Sequence, residues 1–225
     1  MDVNQDQIWD HYQNEAPHSF SGSDARISYL VNQIPKGARC LNIGVGNGNF
    51  EKFAYQKGID IHSLDPSTRS IENLQTLIEE KAKVGYSQAI PFGDGCFDVV
   101  IMSEVLEHLE DEVLIQTYSE VNRVLKLNGK FIGTVPSNED LLLNTVVSPS
   151  DGYVFHRWGH LQSFDLKRLE KELSINFKKI LVKELIFVNW RTLNWKGKII
   201  SGMKLLTHKL GSSGTGRNLY FVATK

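Results

Sequence analysis

The sequence predicts a doubly wound α/β domain built on a mostly parallel sheet. Strand-length apolar runs alternate with segments of helical periodicity from about residue 38 to residue 134, which is the order of successive βαβ units. The chain has 225 residues, of which 41% are hydrophobic and 23% charged, so it is long and apolar enough for one folded domain. The formal net charge of -1 provides no overall field that would attract nucleic acid or an anionic membrane. Any such partner must use a local patch, and no nucleic-acid partner is expected.

The first half of the chain supplies three strands and two helices. Residues 38–43 and 59–64 are predicted strands, and residues 50–57 form the helix between them, which Gly58 ends. Ser67 or Thr68 caps the next helix, whose apolar residues recur on one face. A short run near Val84 is the third strand.

The second half continues the alternation and then loses it. Residues 97–102 form a nearly continuous apolar block, which is typical of a central strand buried on both faces. The following helix is expected to end at Asn128 and Gly129, and residues 130–135 return as a fifth strand. Residues 136–163 show no periodicity and are interpreted as a long functional loop. A helix at 165–173 and strands at 179–188 and 219–223 complete the chain.

A glycine turn after the first strand is the strongest local signal. Gly44, Gly46 and Gly48 follow an apolar strand and open a helix, and glycines there let a ligand approach the backbone closely. Asp65 ends the second strand 21 positions after Gly44, where a carboxylate can accept hydrogen bonds from both hydroxyls of a ribose. A purely structural role for Asp65 at the entry to the next helix is the alternative.

These motifs, followed by Ile90-Pro91-Phe92 and Phe97-Asp98-Val99-Val100, resemble those of class I S-adenosylmethionine-dependent methyltransferases over residues 37–136. Residues 103–109 are similar to the segment after the fourth strand in the small-molecule branch, which includes quinone and sugar methyltransferases. A nicotinamide-dependent dehydrogenase is disfavoured, because Gly48 follows Gly46 by two positions where that fingerprint usually has three.

The resemblance implies S-adenosylmethionine as cofactor and a Rossmann-like sheet of seven strands, with the last strand antiparallel beside the fifth. It implies one domain, with a helical cap at 1–36, a cofactor-binding core at 37–136, and an acceptor side at 137–225. Asn42 stands where the family often has aspartate, and Tyr86 stands where an aspartate often meets the adenine. The implied cofactor-binding residues are Tyr12, Asn42, Gly44, Gly46, Asn47, Gly48, Asp65, Pro66, Ser87, Gln88, Ala89, Ser103 and Glu104.

Methyl transfer from a sulfonium is an in-line displacement, for which an aligned nucleophile matters most. If the acceptor is a hydroxyl, a histidine base would help, and the candidates by placement are His108, His156 and His160. His108 is preferred because a strand supports it, and a packing role is the alternative for each of the three. The expected acceptor is a hydroxyl of a sugar or another small metabolite, such as a precursor of a surface polysaccharide. A non-catalytic cofactor-binding partner that regulates or scaffolds another enzyme is the alternative function.

The insertion before the last strand contains a basic amphipathic helix at 196–210. Ile199, Met203, Leu206 and Leu210 fall on one of its faces, and lysines lie elsewhere. We expect this apolar face to pack over the acceptor cleft or between the subunits of a homodimer. A role at a membrane surface or with a lipid-linked substrate is the alternative.

No bound metal is expected. Some relatives carry a C-P-x-C-G segment followed by histidines, but Ser148 and Asp151 replace both cysteines here, and serine is a poor zinc ligand. Cys40 and Cys96 adjoin predicted strands and are expected to stay unpaired. The sequence has neither a signal peptide nor a stretch long and apolar enough to span a membrane, so a cytoplasmic location is expected.

Overall fold

A computed structural model describes residues 4–190, 193–209 and 216–225. The first part of the chain alternates strands with helices as the sequence predicts. Two short helical segments, at His11–Glu15 and Pro17–Phe20, follow the first helix. The elements are α1 (Gln5–Asp10), α2 (Asp24–Asn32), β1 (Arg39–Ile43), α3 (Asn49–Gln56), β2 (Asp60–Asp65), α4 (Thr68–Ile78) and β3 (Ala82–Val84).

The second part contributes the remaining strands and three more helices. These elements are β4 (Phe97–Ser103), α5 (Asp111–Val124), β5 (Leu125–Pro136), β6 (Thr145–Val147), β7 (Val154–His156), α6 (Leu166–Asn176), β8 (Lys178–Leu185), α7 (Trp195–Lys209) and β9 (Asn218–Thr224). Leu210, which the sequence analysis placed on the face of α7, lies outside the described residues. None of the described helices combines the length and the apolar content that crossing a lipid bilayer requires.

The main sheet has seven strands in the order β3-β2-β1-β4-β5-β9-β8. Strands β1 to β5 pair in parallel, β9 runs antiparallel beside β5, and β8 pairs antiparallel with β9. The prediction of a mostly parallel, seven-stranded sheet with an antiparallel last strand is confirmed. The strand order reverses direction at β1 and β4, and open α/β sheets bind ligands outside the carboxyl ends of the strands at such a point.

Helices cover both faces of the sheet because alternate residues of its central strands point to opposite sides. Leu41, Val100 and Met102 belong to the buried cluster on the face covered by α5 and α6. Cys40 and Ile101 belong to the cluster on the other face, which α2, α3 and α4 cover. Both ends of β1 and β4 are therefore held rigidly, and so are the turns that follow them.

Two predictions about the second half need correction. The helix α5 ends at Val124, and Leu125 already pairs with Phe97 in the sheet. Leu125 continues the helical spacing of apolar residues, but it is a buried residue of the sheet and not of the helix. Residues 136–163 are also not one structureless loop, since β6 and β7 form a small antiparallel hairpin after a short 3-10 helix at Leu141–Asn144.

Candidate functional site

A deep cavity of about 1160 Å³ opens at the carboxyl ends of β1, β2, β4 and β5. It exceeds the roughly 300–1,000 Å³ typical of a site for one small ligand, so it has room for a cofactor and an acceptor together. Its walls come from the turns after these strands, from the segment 5–27 and from the loop after β5.

The glycine turn forms the floor of the cavity, and its backbone requires glycine. Gly44, Gly46 and Gly48 all have positive φ angles, of 85°, 53° and 76°. A Cβ atom on Gly44 would lie 2.6 Å from Cγ2 of Val105. Gly44 and Gly46 line the cavity, whereas Gly48 does not. The prediction that Gly48 contacts the ligand is therefore not supported by its position, because Gly48 precedes α3 and faces the side chain of Leu74.

A buried carboxylate lies beneath the glycine turn and is hydrogen-bonded to the side chains around it. Glu51, in the first turn of α3, is fully buried and accepts hydrogen bonds from Nδ2 of Asn42 at 2.7 Å and Oγ of Ser63 at 2.8 Å. Nδ2 of Asn42 also donates to the carbonyl of Gly44 at 3.2 Å. Burial raises the pKa of Glu51 from 4.5 to about 7, although the two hydrogen bonds oppose that shift. An amide suits position 42 because an aspartate there would face this carboxylate.

Asp65 ends β2 at the cavity wall with its carboxylate almost fully buried. It accepts hydrogen bonds from the backbone N–H groups of Val45 and Ser67, both at 2.9 Å, and from Nε2 of Gln13 at 3.1 Å. Burial raises its pKa above the ordinary value, although these hydrogen bonds favour the charged form. The carboxylate thus faces the cavity with about one of its four lone-pair positions still available.

The residues after β3 form the side of the cavity next to Asp65. Tyr86, Ser87 and Gln88 line it, and Ala89 does not, because Ala89 belongs to a turn that projects into solvent. Tyr86 is 49% exposed and donates a hydrogen bond to Asp6 at 2.7 Å, so it lies at the surface and not in the core. Tyr12 and Trp9, from the N-terminal segment, also line the cavity.

The carboxyl end of β4 brings two polar residues into the cavity in a constrained conformation. Glu104 has a φ of 56°, which is sparsely populated by residues other than glycine and is often found at functional sites. Its carboxylate accepts hydrogen bonds from Nδ2 of Asn218 at 3.0 and 2.9 Å and lies 3.6 Å from Arg26. Ser103 accepts a hydrogen bond from Nε of Arg26 at 3.1 Å.

His108 lines the cavity but is buried and neutral. Its Nδ1 lies 3.3 Å from the carbonyl oxygen of Gly159, which can only accept, so Nδ1 carries the proton and Nε2 presents a lone pair. Nε2 finds no hydrogen-bond partner among the described residues. Burial lowers the pKa of His108 to about 3, and the neighbouring imidazole of His160 acts in the same direction.

His160 also lines the cavity, and a ring nitrogen of this residue is paired with a carboxylate. Its Nδ1 forms a short hydrogen bond with Oε2 of Glu139, which lies on the same wall. Burial opposes ionisation of Glu139, but the hydrogen bond from His160 and the nearby imidazoles hold its pKa below the ordinary value. The ionised carboxylate fixes the proton on Nδ1 of His160, so Nε2 is the basic nitrogen.

His156 does not reach the cavity, which corrects its prediction as a catalytic candidate. It is buried behind His160, with ring centroids 4.4 Å apart, and its Nδ1 accepts a hydrogen bond from the backbone N–H of His160 at 3.1 Å. Its Nε2 lies 3.5 Å from Oε1 of Glu139. His156 therefore supports the positions of His160 and Glu139.

Two groups of side chains among the described residues bring potential metal ligands within 4.8 Å of one another, namely Glu107, His108 and His160, and Glu139, His156 and His160. In the second group Nδ1 of His156 accepts a backbone N–H, so its Nε2 carries a proton and cannot bind a metal without rearrangement. Neither group involves Ser148 or Asp151, on which the expectation of a metal-free protein rests. That expectation stays a prediction.

Comparison with known proteins gives the family. Residues 41–133 match the model of a family described as a methyltransferase domain. These residues run from β1, which precedes the glycine turn, to β5. Residues 41–133 therefore form a methyltransferase domain, and the prediction of an S-adenosylmethionine-dependent methyltransferase is confirmed for this part of the chain.

Individual relatives of the methyltransferase domain agree with this. An uncharacterized methyltransferase from Synechocystis is 30% identical over 99 residues, which cover 44% of this chain and 47% of the relative. A ubiquinone biosynthesis O-methyltransferase from Caulobacter is 33% identical over 82 residues, which cover 34% of this chain and 32% of that protein. The matches span about half the length of the first curated relatives.

A solved structure extends the likeness of fold beyond residues 41–133. A protein from Thermotoga maritima, described as an S-adenosylmethionine-dependent methyltransferase and possible histamine N-methyltransferase, superposes with a TM-score of 0.65 at 20% identity. The match covers 97% of this chain and 99% of that one.

Within this methyltransferase domain, sequence reasoning placed most of its candidates on one cavity and missed others. Eleven of the thirteen predicted cofactor-binding residues line it, the exceptions being Gly48 and Ala89. Gln13, Glu51 and Glu139 were missed, because each meets its partner, 52, 9 and 21 positions away, only in the folded chain. The one signal that the sequence offered was a glutamate three positions after Gly48, and a carboxylate at a helix N-terminus is too common to be singled out.

Proposed function

We propose that this protein transfers a methyl group from S-adenosylmethionine to a hydroxyl oxygen of a small molecule, with His160 as general base. The observation that carries the proposal is the pairing of His160 with Glu139 on the wall of the same cavity that contains the glycine turn and Asp65. S-adenosylmethionine supplies an electrophilic methyl group on a sulfonium.

The residues of the turn fit this cofactor. Gly44 and Gly46 present bare backbone that a ligand can approach closely, and the buried carboxylate of Asp65 can accept a hydrogen bond from a ribose hydroxyl. Ser87 and Gln88 lie beside Asp65, where a base attached to that ribose would extend. Asn42, Asn47 and Pro66 complete this side.

His160 is better suited to act as a base than His108, which the sequence analysis preferred. A base with a pKa of about 3 holds a proton too weakly to remove one from a hydroxyl near neutral pH, and this excludes His108. Glu139 keeps the basic Nε2 of His160 available and stabilises the imidazolium that forms when His160 takes the proton. In the overall transfer the carbon–sulfur bond breaks, a carbon–oxygen bond forms, and the hydroxyl proton passes to His160.

A polar acceptor of the size of a sugar or another small metabolite fits the rest of the cavity. Glu104, Asn138 and Asn218 present carboxylate and amide groups that can bind hydroxyls, and Trp158 offers an aromatic face. The related O-methyltransferase also acts, by its name, at oxygen. We further infer a cytoplasmic location, to which the free cysteines Cys40 and Cys96 are suited, since reducing compartments leave thiols unpaired.

The test is single-turnover methyl transfer from isotope-labelled cofactor to a set of sugars and phenols. His160→Ala is expected to slow the transfer by about 10²-fold or more, and His108→Ala much less. Glu139→Gln should also slow the transfer, because the imidazolium that forms on His160 loses its counter-charge. If His160→Ala transfers at the native rate, His160 is not the base. If the protein binds cofactor but labels no acceptor, the alternative of a regulatory or scaffold protein gains support.

A further inference from the structure

The apolar face of α7 points into solvent. Its large side chains Trp195, Ile199, Ile200, Met203 and Leu206 are 67%, 54%, 61%, 56% and 59% exposed. The spacing of 195, 199, 203 and 206 places these residues on one face of the helix. Soluble proteins seldom expose so large a contiguous apolar surface unless it binds something.

The sequence predicts that this face packs over the acceptor cleft or between subunits. In the structure it does not cover the cavity. None of the described residues of the insertion, 193–206, lines the cavity. The side chains of α7 that are partly buried, such as Ser201 and Leu205, lie on the opposite face of the helix. The apolar face is therefore the more exposed side of the helix.

The charge of α7 selects among the partners that could cover it. Its sequence contains Lys196, Lys198, Lys204 and Lys209 and no aspartate or glutamate. Lys196 and Lys198 are exposed, and the ammonium of Lys196 lies 5.6 Å from the centre of the Trp195 ring. Packing α7 against a second copy would bring two such lysine sets together, and like charges repel. An anionic surface with an apolar interior complements both the charge and the face.

We propose that α7 docks this protein on the surface of a membrane that contains anionic lipids. At 1.5 Å per residue, a 15-residue helix is about 22 Å long, and it lies in the plane of the headgroups with its apolar face towards the acyl chains. Tryptophan favours this boundary, and lysine side chains can extend from it to the phosphates. The proposal does not depend on methyl transfer.

The experiment is co-sedimentation of the full chain with vesicles of phosphatidylcholine alone and with added phosphatidylglycerol. Binding is expected only to the anionic vesicles, and it should weaken as salt is raised. The fluorescence of Trp195 should shift to the blue, and Trp195→Phe should remove that shift. The double variant Ile199→Asp with Met203→Asp should bind at least about tenfold more weakly.

The matched control is Ile115→Asp with Ile175→Asp, which changes the charge equally at side chains that are 63% and 77% exposed on α5 and α6. The control should bind vesicles like the unaltered protein. Both variants should keep the native unfolding temperature and cofactor affinity, since all four side chains are exposed. Absence of binding to anionic vesicles, or equal loss in both variants, overturns the proposal. Self-association that only the α7 variant abolishes, without vesicle binding, assigns the face to a second copy instead.

Discussion

The carboxylate beneath the glycine turn makes the stability of the protein depend on pH in a direction that can be tested. Burial raises the pKa of Glu51 from 4.5 in an unfolded chain to about 7 in the folded protein. A group whose pKa is raised on folding contributes its full stability below the unfolded pKa and loses it as pH rises through the folded pKa. At 1.36 kcal/mol per pH unit, ionisation of Glu51 costs up to ~3 kcal/mol of unfolding free energy between about pH 4.5 and about pH 8.

Replacing Glu51 with glutamine removes this titration and keeps an oxygen that accepts from Asn42 and Ser63. The unfolding free energy of Glu51→Gln minus that of the native protein should therefore increase by about 1–3 kcal/mol from pH 5 to pH 8. Urea unfolding at the two pH values measures this difference, in which all other titrating groups cancel. The exposed Glu170→Gln is the control and should give no such increase. A difference for Glu51→Gln that is the same at both pH values refutes the reasoning.

Three further predictions concern the cavity. Asp65→Ala should weaken binding of S-adenosylmethionine by about 1–3 kcal/mol in calorimetry, because hydrogen bonds to the ribose are lost. The control Asp60→Ala, on the same strand, should not weaken it. If the protein binds a nicotinamide dinucleotide instead of S-adenosylmethionine, the cofactor assignment is wrong. Gly44→Ala should lower the unfolding free energy by about 1–3 kcal/mol and also weaken cofactor binding, because its φ is 85° and its Cβ would meet Val105. A chelator should leave the rate of methyl transfer unchanged. If dialysed native protein contains stoichiometric zinc or magnesium and the His108→Ala variant does not, this expectation is wrong.

The sheet and the glycine turn could be predicted from the sequence because their signals are local. The apolar block of β4, the run into Gly44 and the spacing to Asp65 each depend on a few neighbouring residues. The end of α5 could not be located in the same way, since Leu125 suits a helix face and a strand equally well. Only its pairing with Phe97 decides between the two.

The choice among the histidines failed for a similar reason. His108 was preferred because it follows a rigid strand, but burial beneath Trp9 and the loop at Gly159 removes its basicity. Burial is a property of the assembled fold and has no signal in the residues next to His108. The apolar face of α7 shows the same limit, because helical periodicity defines a face without saying whether it points inward.

The hydrogen bond from Gln13 to Asp65 gives the N-terminal segment a part in cofactor affinity. Gln13 also accepts from Ser70, so its amide is held in place over the carboxylate. The amide of Gln13 therefore donates a hydrogen bond to the almost fully buried carboxylate of Asp65 when no ribose is bound. If both hydroxyls of a ribose donate hydrogen bonds to Asp65, one of them must displace the amide of Gln13. The measured cofactor affinity then reflects the exchange of one hydrogen-bond donor for another. Opening of the N-terminal segment and entry of the cofactor are then thermodynamically linked, and each step favours the other.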